Sequence, residues 1–183
     1  QVVIDRILVD PVGNESQKDI SEIIQIVNLG DSPVDLTGWS LSSTPPGDDP
    51  DLWAFPEGVV IDVAGRLTIR WKYNPEEEIP QVDTFAAYEN VTLLNNPGGD
   101  IALNSPNGIE HYVQWGKSGQ ALEGEAVEAG KWATGDVVDR PGEGMWIKYN
   151  GGGYSAADWS IVDDIPTAVT SVTWSHIKGC GSR

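Results

Sequence analysis

The chain has 183 residues, of which 28 are acidic and 11 basic, for a net charge of −17. A surface that negative repels phosphate backbones, which argues against nucleic acid as a partner. No stretch approaches the roughly 18 apolar residues of a membrane helix, and the single cysteine, Cys180, excludes an intramolecular disulfide or a thiolate metal cluster.

Helical periodicity is nearly absent, and turn signals recur about every eight to twelve residues, as in a sandwich or barrel. Val2 to Val9 reads as the first strand, closed by Asp10-Pro11, and Ile20 to Val27 as the second. Val34 to Leu41 reads as one strand in which a bulge near Gly38 returns Val34, Leu36, Trp39 and Leu41 to one face. After the proline-bearing loop 42–51, Trp53 to Phe55 and Val59 to Ile61 are short strand candidates. Arg66 to Tyr73 alternates, with Leu67, Ile69, Trp71 and Tyr73 on one face and Arg66, Thr68, Arg70 and Lys72 on the other. Residues 74–82 read as an exposed excursion. Val91 to Leu94, Ile101 to Asn104 and Ile109 to Trp115 are the next expected strands, the last two joined by the turn Ser105-Pro106-Asn107-Gly108. Gly116 to Ala129 suits a loop with a helical turn. Met145 to Tyr149 is a strand candidate, and Trp159 and Ile161 are late core anchors. Residues 1–167 are expected to form one domain and 168–183 a tail.

Several segments, taken in order, resemble the lamin tail domain of bacterial exported proteins. Val3-Ile4-Asp5-Arg6-Ile7 stands where that family has V-I-N-E-I, and Glu22 to Asn28 where it has E-W-I-E-L-x-N. Asp31 to Leu41, reading D-S-P-V-D-L-T-G-W-S-L, is the best match. Phe55-Pro56, Ala64-Gly65-Arg66-Leu67-Thr68-Ile69, Asn96 to Leu103 and Ser105 to Gly108 follow at family spacing. Asp158-Trp159 and Pro166-Thr167 are similar to its closing elements. Ile23 and Gln25 depart from the pattern of the second strand. The resemblance spans residues 1–167 and is strongest over 1–115. It implies an all-β, immunoglobulin-like sandwich of about seven to nine strands, on an extracellular or cell-envelope protein, with no reaction attached.

Chemistry-bearing groups are few. His111 and His176 are the only imidazoles, no G-x-S-x-G elbow is present, and no catalytic residue is assigned. His111 shares parity with Ile109, Val113 and Trp115, so a hydrogen-bonded histidine on a sheet face is the expectation. No cofactor is expected; carboxylates cluster in several loops, and Asp48, Asp49 and Asp51 could supply oxygen ligands to Ca²⁺, although a solvated loop is the commoner meaning of such a run. Asn14 and Asn90 fit the glycosylation acceptor pattern, a short match that recurs by chance. Trp53, Trp132, Trp146 and Trp174 lie in or near loops, where exposed indoles would suit sugar or protein recognition, although an indole sealing its loop over the core is the commoner meaning for any one of them. Arg66, Arg70 and Lys72 put three of the 11 basic residues on one strand face, an anion or partner patch unless neighbouring carboxylates pair them. The expected function is a non-catalytic binding or structural accessory domain with a protein or extracellular glycan partner. The alternatives are a carbohydrate-binding module using the loop tryptophans, which needs exposed indoles, and a metal-assisted hydrolase, which needs converging carboxylates.

Overall fold

A computed structural model describes residues 1–13, 21–45, 50–73, 83–87 and 91–163. The strands are β1 (Val2–Leu8), β2 (Glu22–Asn28), β3 (Val34–Asp35), β4 (Ser40–Ser43), β5 (Asp51–Ala54), β6 (Val60–Ile61), β7 (Arg66–Trp71), β8 (Thr84–Ala87), β9 (Gly99–Ser105), β10 (Gly108–Trp115), β11 (Trp146–Tyr149) and β12 (Trp159–Val162), with one short helix, α1 (Glu123–Glu128), after β10. They form a six-stranded sheet in the order β12-β11-β1-β2-β7-β8, a four-stranded sheet in the order β10-β9-β4-β5, and a small β3-β6 ladder. The two large sheets face each other across a core to which Ile4, Ile7, Ile24, Ile26, Ile69 and Trp71 contribute from one side and Leu41, Ile101, Leu103, Val113 and Trp115 from the other. This is the sandwich that period-two alternation dictates, since each strand buries every second side chain.

Three local departures have physical causes. The expected strand from Val34 to Leu41 is two strands, because Gly38 takes a φ of +78° and the Trp39 N–H closes a turn onto the Leu36 carbonyl at 2.9 Å. A left-handed residue reverses the chain where a bulge would only have shifted it. β3 therefore pairs with β6, and β4 joins the four-stranded sheet. Second, β7 alternates as expected but stops at Trp71, where Lys72 adopts a φ of +53°. Third, Val91 to Leu94 is not a strand. Side chains take the place of a ladder: Asp51 Oδ2 accepts from the Thr92 N–H and hydroxyl, Glu22 Oε2 accepts from the Leu94 N–H, and Trp71 Nε1 donates to the Thr92 carbonyl. Backbone groups satisfied in this way have no need of a neighbouring strand.

The outer face of the four-stranded sheet is covered in part by the excursion 117–138, which carries α1. Asp100 and Tyr112 point to this face and are buried, as are Leu122, Ala126 and Trp132 of the excursion. Asp100 pins the arrangement. Its Oδ1 accepts the Thr44 N–H at 2.8 Å, and its Oδ2 accepts the Thr44 hydroxyl, the Tyr112 hydroxyl and the Leu122 N–H, each at 3.3 Å. Glu123 gives a second anchor, with one oxygen accepting from the Gly135 N–H and the other from the Gly119 N–H, both at 2.6 Å. The chain enters the excursion at Gly116, whose φ is +71° and where an added Cβ would lie 2.3 Å from the Pro97 carbonyl oxygen. Gly116→Ala is therefore expected to cost at least about 2 kcal/mol, combining left-handed strain with a backbone clash; a urea titration measures it, and an unchanged midpoint would contradict the geometry.

Candidate functional site

The outer face of the six-stranded sheet is built around an irregularity in β1. Ile4 pairs with Ile26 and Arg6 with Gln25, so one extra residue sits on β1 between them. Ile4 and Ile7 both reach the core, and the bulge places Asp5 and Arg6 side by side on the outer surface. Arg6 is held on two sides. Its Nε donates to Gln25 Oε1 at 2.6 Å, Gln25 Nε2 in turn donates to Thr68 Oγ1 at 3.1 Å, and the guanidinium carbon lies 4.7 Å from the ring centre of Trp146. Lys148 is the cross-strand partner of Arg6 on β11 and is exposed. Arg66 reaches from β7 to form an ion pair with Asp5. These residues, with Val162 and Asp163, line a recess of about 260 Å³. Three cations face two carboxylates there, a local positive excess on a molecule of net charge −17.

The residues singled out from sequence fall in different places. Arg66 belongs to this recess, but Arg70 and Lys72 do not share it. Arg70 Nε donates to Ser21 Oγ at 2.8 Å and its guanidinium packs 3.7 Å above the Tyr73 ring, while Lys72 Nζ donates to the Val91 carbonyl at 2.6 Å. The single patch expected from β7 is thus divided. The indoles are not a display row either. Trp132 and Trp146 are buried at 4% and 6% exposure. Trp132 packs edge-on against Tyr112 and donates to the Asp136 carbonyl at 2.9 Å. Trp53 is half-buried on the inner face of β5, within 4.7 Å of Phe55 and 6.1 Å of Phe85, and these rings close the open side of the sandwich between β5 and β8. Large rings seal loops and edges because their apolar area is worth more inside than in water.

Asp48 and Asp49 lie outside the described residues, as do Asn14, Asn90, Trp174, His176 and the tail 168–183. Asp51 is bound to Thr92 as described above. Among the described residues, no three His, Cys, Asp or Glu side chains are grouped to hold a metal. None of the described helices is long and apolar enough to cross a membrane.

His111 is buried between the sheets. Its Nδ1 accepts the Ile4 N–H at 3.2 Å, a donor that β1 turns toward the side where β11 has not yet joined it. That bond fixes the ring proton on Nε2, which is buried without a partner among the described residues. Tyr149 packs edge-on at 4.6 Å, with Trp159 at 5.4 Å and Tyr154 at 6.0 Å. Burial depresses its pKa to about 3, the Lys131 charge adds to the effect and Asp158 opposes it. A neutral imidazole bonded to backbone and boxed by aromatic rings serves as an internal acceptor.

The family model of the lamin tail domain matches residues 1–140. The chain belongs to the lamin tail domain family. Its fold is immunoglobulin-like, and the sandwich of this lamin tail domain continues past the matched stretch: β11 adds to the six-stranded sheet beside β1, β12 follows it, and Trp159 enters the core. No curated protein matches the chain. Sequence reasoning overlooked the two residues that give this lamin tail domain its recess, Arg6 and Lys148. The signal for Arg6 was present: Ile4 and Ile7 are three apart, and both can face one core only if the strand is bulged between them. Lys148 carried no comparable mark, because its partner is set by the pairing of β11 with β1.

Proposed function

We propose that this lamin tail domain is a non-catalytic binding module of an exported bacterial protein, acting outside the cell or in its envelope and engaging a protein partner through the outer face of the six-stranded sheet. What supports the reading is the recess around Arg6, a cationic concavity with an ordered guanidinium on an otherwise acidic molecule. The opposite sheet offers less free surface, since the excursion 117–138 already lies against β10. A carbohydrate-binding reading needs stacking faces, and the buried Trp132 and Trp146 withdraw them.

Site-specific photo-crosslinking in the producing cells tests this. A crosslinker at Ser160 or Thr84, which flank the recess on the same sheet, is expected to trap a protein adduct; one at the exposed Leu52 of the opposite sheet is not. Adducts from Leu52 alone, or from none of the three, would reject the assignment of this face. Fractionation that leaves the protein in the cytoplasm would reject the exported setting.

A further inference from the structure

We infer that the recess binds a single carboxylate, supplied by an aspartate or glutamate side chain of the partner protein. The inference rests on the protein-binding reading of this face and adds the chemistry of the contact. With Nε occupied by Gln25 and the guanidinium carbon held over the Trp146 ring, the two terminal nitrogens of Arg6 are left as its working edge. Among the described residues no carboxylate pairs with Arg6 or Lys148, whereas Arg66 is already neutralised by Asp5. A guanidinium fork is planar and matches the two oxygens of a carboxylate. Lys148, directly across the strand pair, lies at the roughly 5 Å Cβ separation that lets a second cation reach the same group. Val162 gives the methylene of an acidic side chain an apolar wall.

The charge balance selects among anions. Three cations against Asp5 and Asp163 leave an excess of one, so a monoanion is compensated and anything more highly charged meets the repulsion of a −17 molecule. That disfavours phosphate groups and polyuronate chains alike. The volume points to a side chain, since the recess, at about 260 Å³, is smaller than clefts that bury a free small ligand.

The probe is a blocked pentapeptide, Gly-Ser-Glu-Ser-Gly, with the Gln peptide and inorganic phosphate as comparators, and the readout is the Trp146 indole N–H resonance. The Glu peptide is expected to shift it saturably, with a midpoint on the order of millimolar for one desolvated contact; the Gln peptide leaves it in place and phosphate binds more weakly. Lys148→Gln, an exposed change that leaves the fold intact, is expected to weaken the Glu peptide at least tenfold. Arg6→Lys does the same although it keeps the charge, because the fork is lost. Equal shifts from Glu and Gln peptides, phosphate binding tighter than the peptide, or full affinity in either variant would each overturn the inference. The peptide result is separable from the crosslinking result: adducts at Ser160 with no peptide response would leave the protein-binding face standing and remove only the carboxylate.

Discussion

Asp100→Ala is expected to lower stability by about 4 kcal/mol, the largest loss from any single polar side chain described above. The aspartate is fully buried and accepts four hydrogen bonds from three residues. Removing it leaves the Thr44 and Leu122 N–H groups and the Tyr112 hydroxyl facing a cavity, each costing about 1–3 kcal/mol if water cannot enter. In a domain of this size that corresponds to a fall of roughly 10 °C in Tm. Asp100→Asn is expected to cost less, about 2 kcal/mol, since one oxygen remains while the amide turns a donor toward donors. Burial raises the carboxyl pKa of Asp100 against the opposing pull of its donors. The folded state therefore binds that proton more readily than the unfolded chain, so the wild type gains stability as pH falls through the raised pKa, the Asn variant does not, and the penalty of the Asn variant should grow on acidification. Hydrogen exchange localises the damage: in Asp100→Ala, amides of the excursion 117–138 are expected to exchange faster than those of β1 and β2. Uniform exchange with an unchanged Tm would show that Asp100 does not pin the excursion.

The second large effect is a dependence of stability on pH set by His111. Its folded pKa of about 3 lies below the unfolded value of 6.5, so the unfolded chain takes up a proton that the folded protein refuses. Stability is thus full above about pH 6.5 and is lost as pH falls, by at most about 1.4 kcal/mol per unit, until the folded pKa is reached. The ceiling is about 5 kcal/mol across the window. Other carboxylates titrate in the same range, so the wild type alone cannot isolate the imidazole. His111→Gln can, because its amide oxygen still accepts the Ile4 N–H and does not titrate. At pH 7.5 the variant is expected to be less stable by about 1–2 kcal/mol through lost ring packing. At pH 4 that deficit should vanish or reverse. Denaturant titrations at the two pH values decide it: a deficit equal at both would mean that the histidine is not excluded from protonation by burial.

Much of the architecture was legible because alternation is a local property. Leu67, Ile69 and Trp71 announce their face within six residues, and Ser105 to Gly108 carries its own turn chemistry. β8 was not legible: Thr84–Ala87 has little β-branched content, and it pairs in parallel with β7, which no adjacent turn signals. The 91–94 segment misled for the opposite reason, since its apolar residues resemble a strand while distant side chains, Glu22, Asp51 and Trp71, take its hydrogen bonds. The candidate site was half legible. Arg66 could be placed on an outer face from β7 alone, but its association with Arg6 and Lys148 depends on β11 lying beside β1, a long-range pairing that spacing does not encode. For Trp132 and Trp146, sealing a loop over the core was the commoner expectation and is what is found, although position in a loop alone does not say whether the loop folds back.

The bulge in β1 makes Asp5 a supernumerary residue. If it were excised, Ile4 and Ile7 would keep their inward phase and Arg6 its outward one, so the hydrophobic register of the strand does not require it. Among the described residues its one ion pair is with Arg66. The insertion thus works as a charge governor, holding one guanidinium in check without touching the core, and a lineage that gained or lost this single codon would retune the face while leaving the scaffold unaltered.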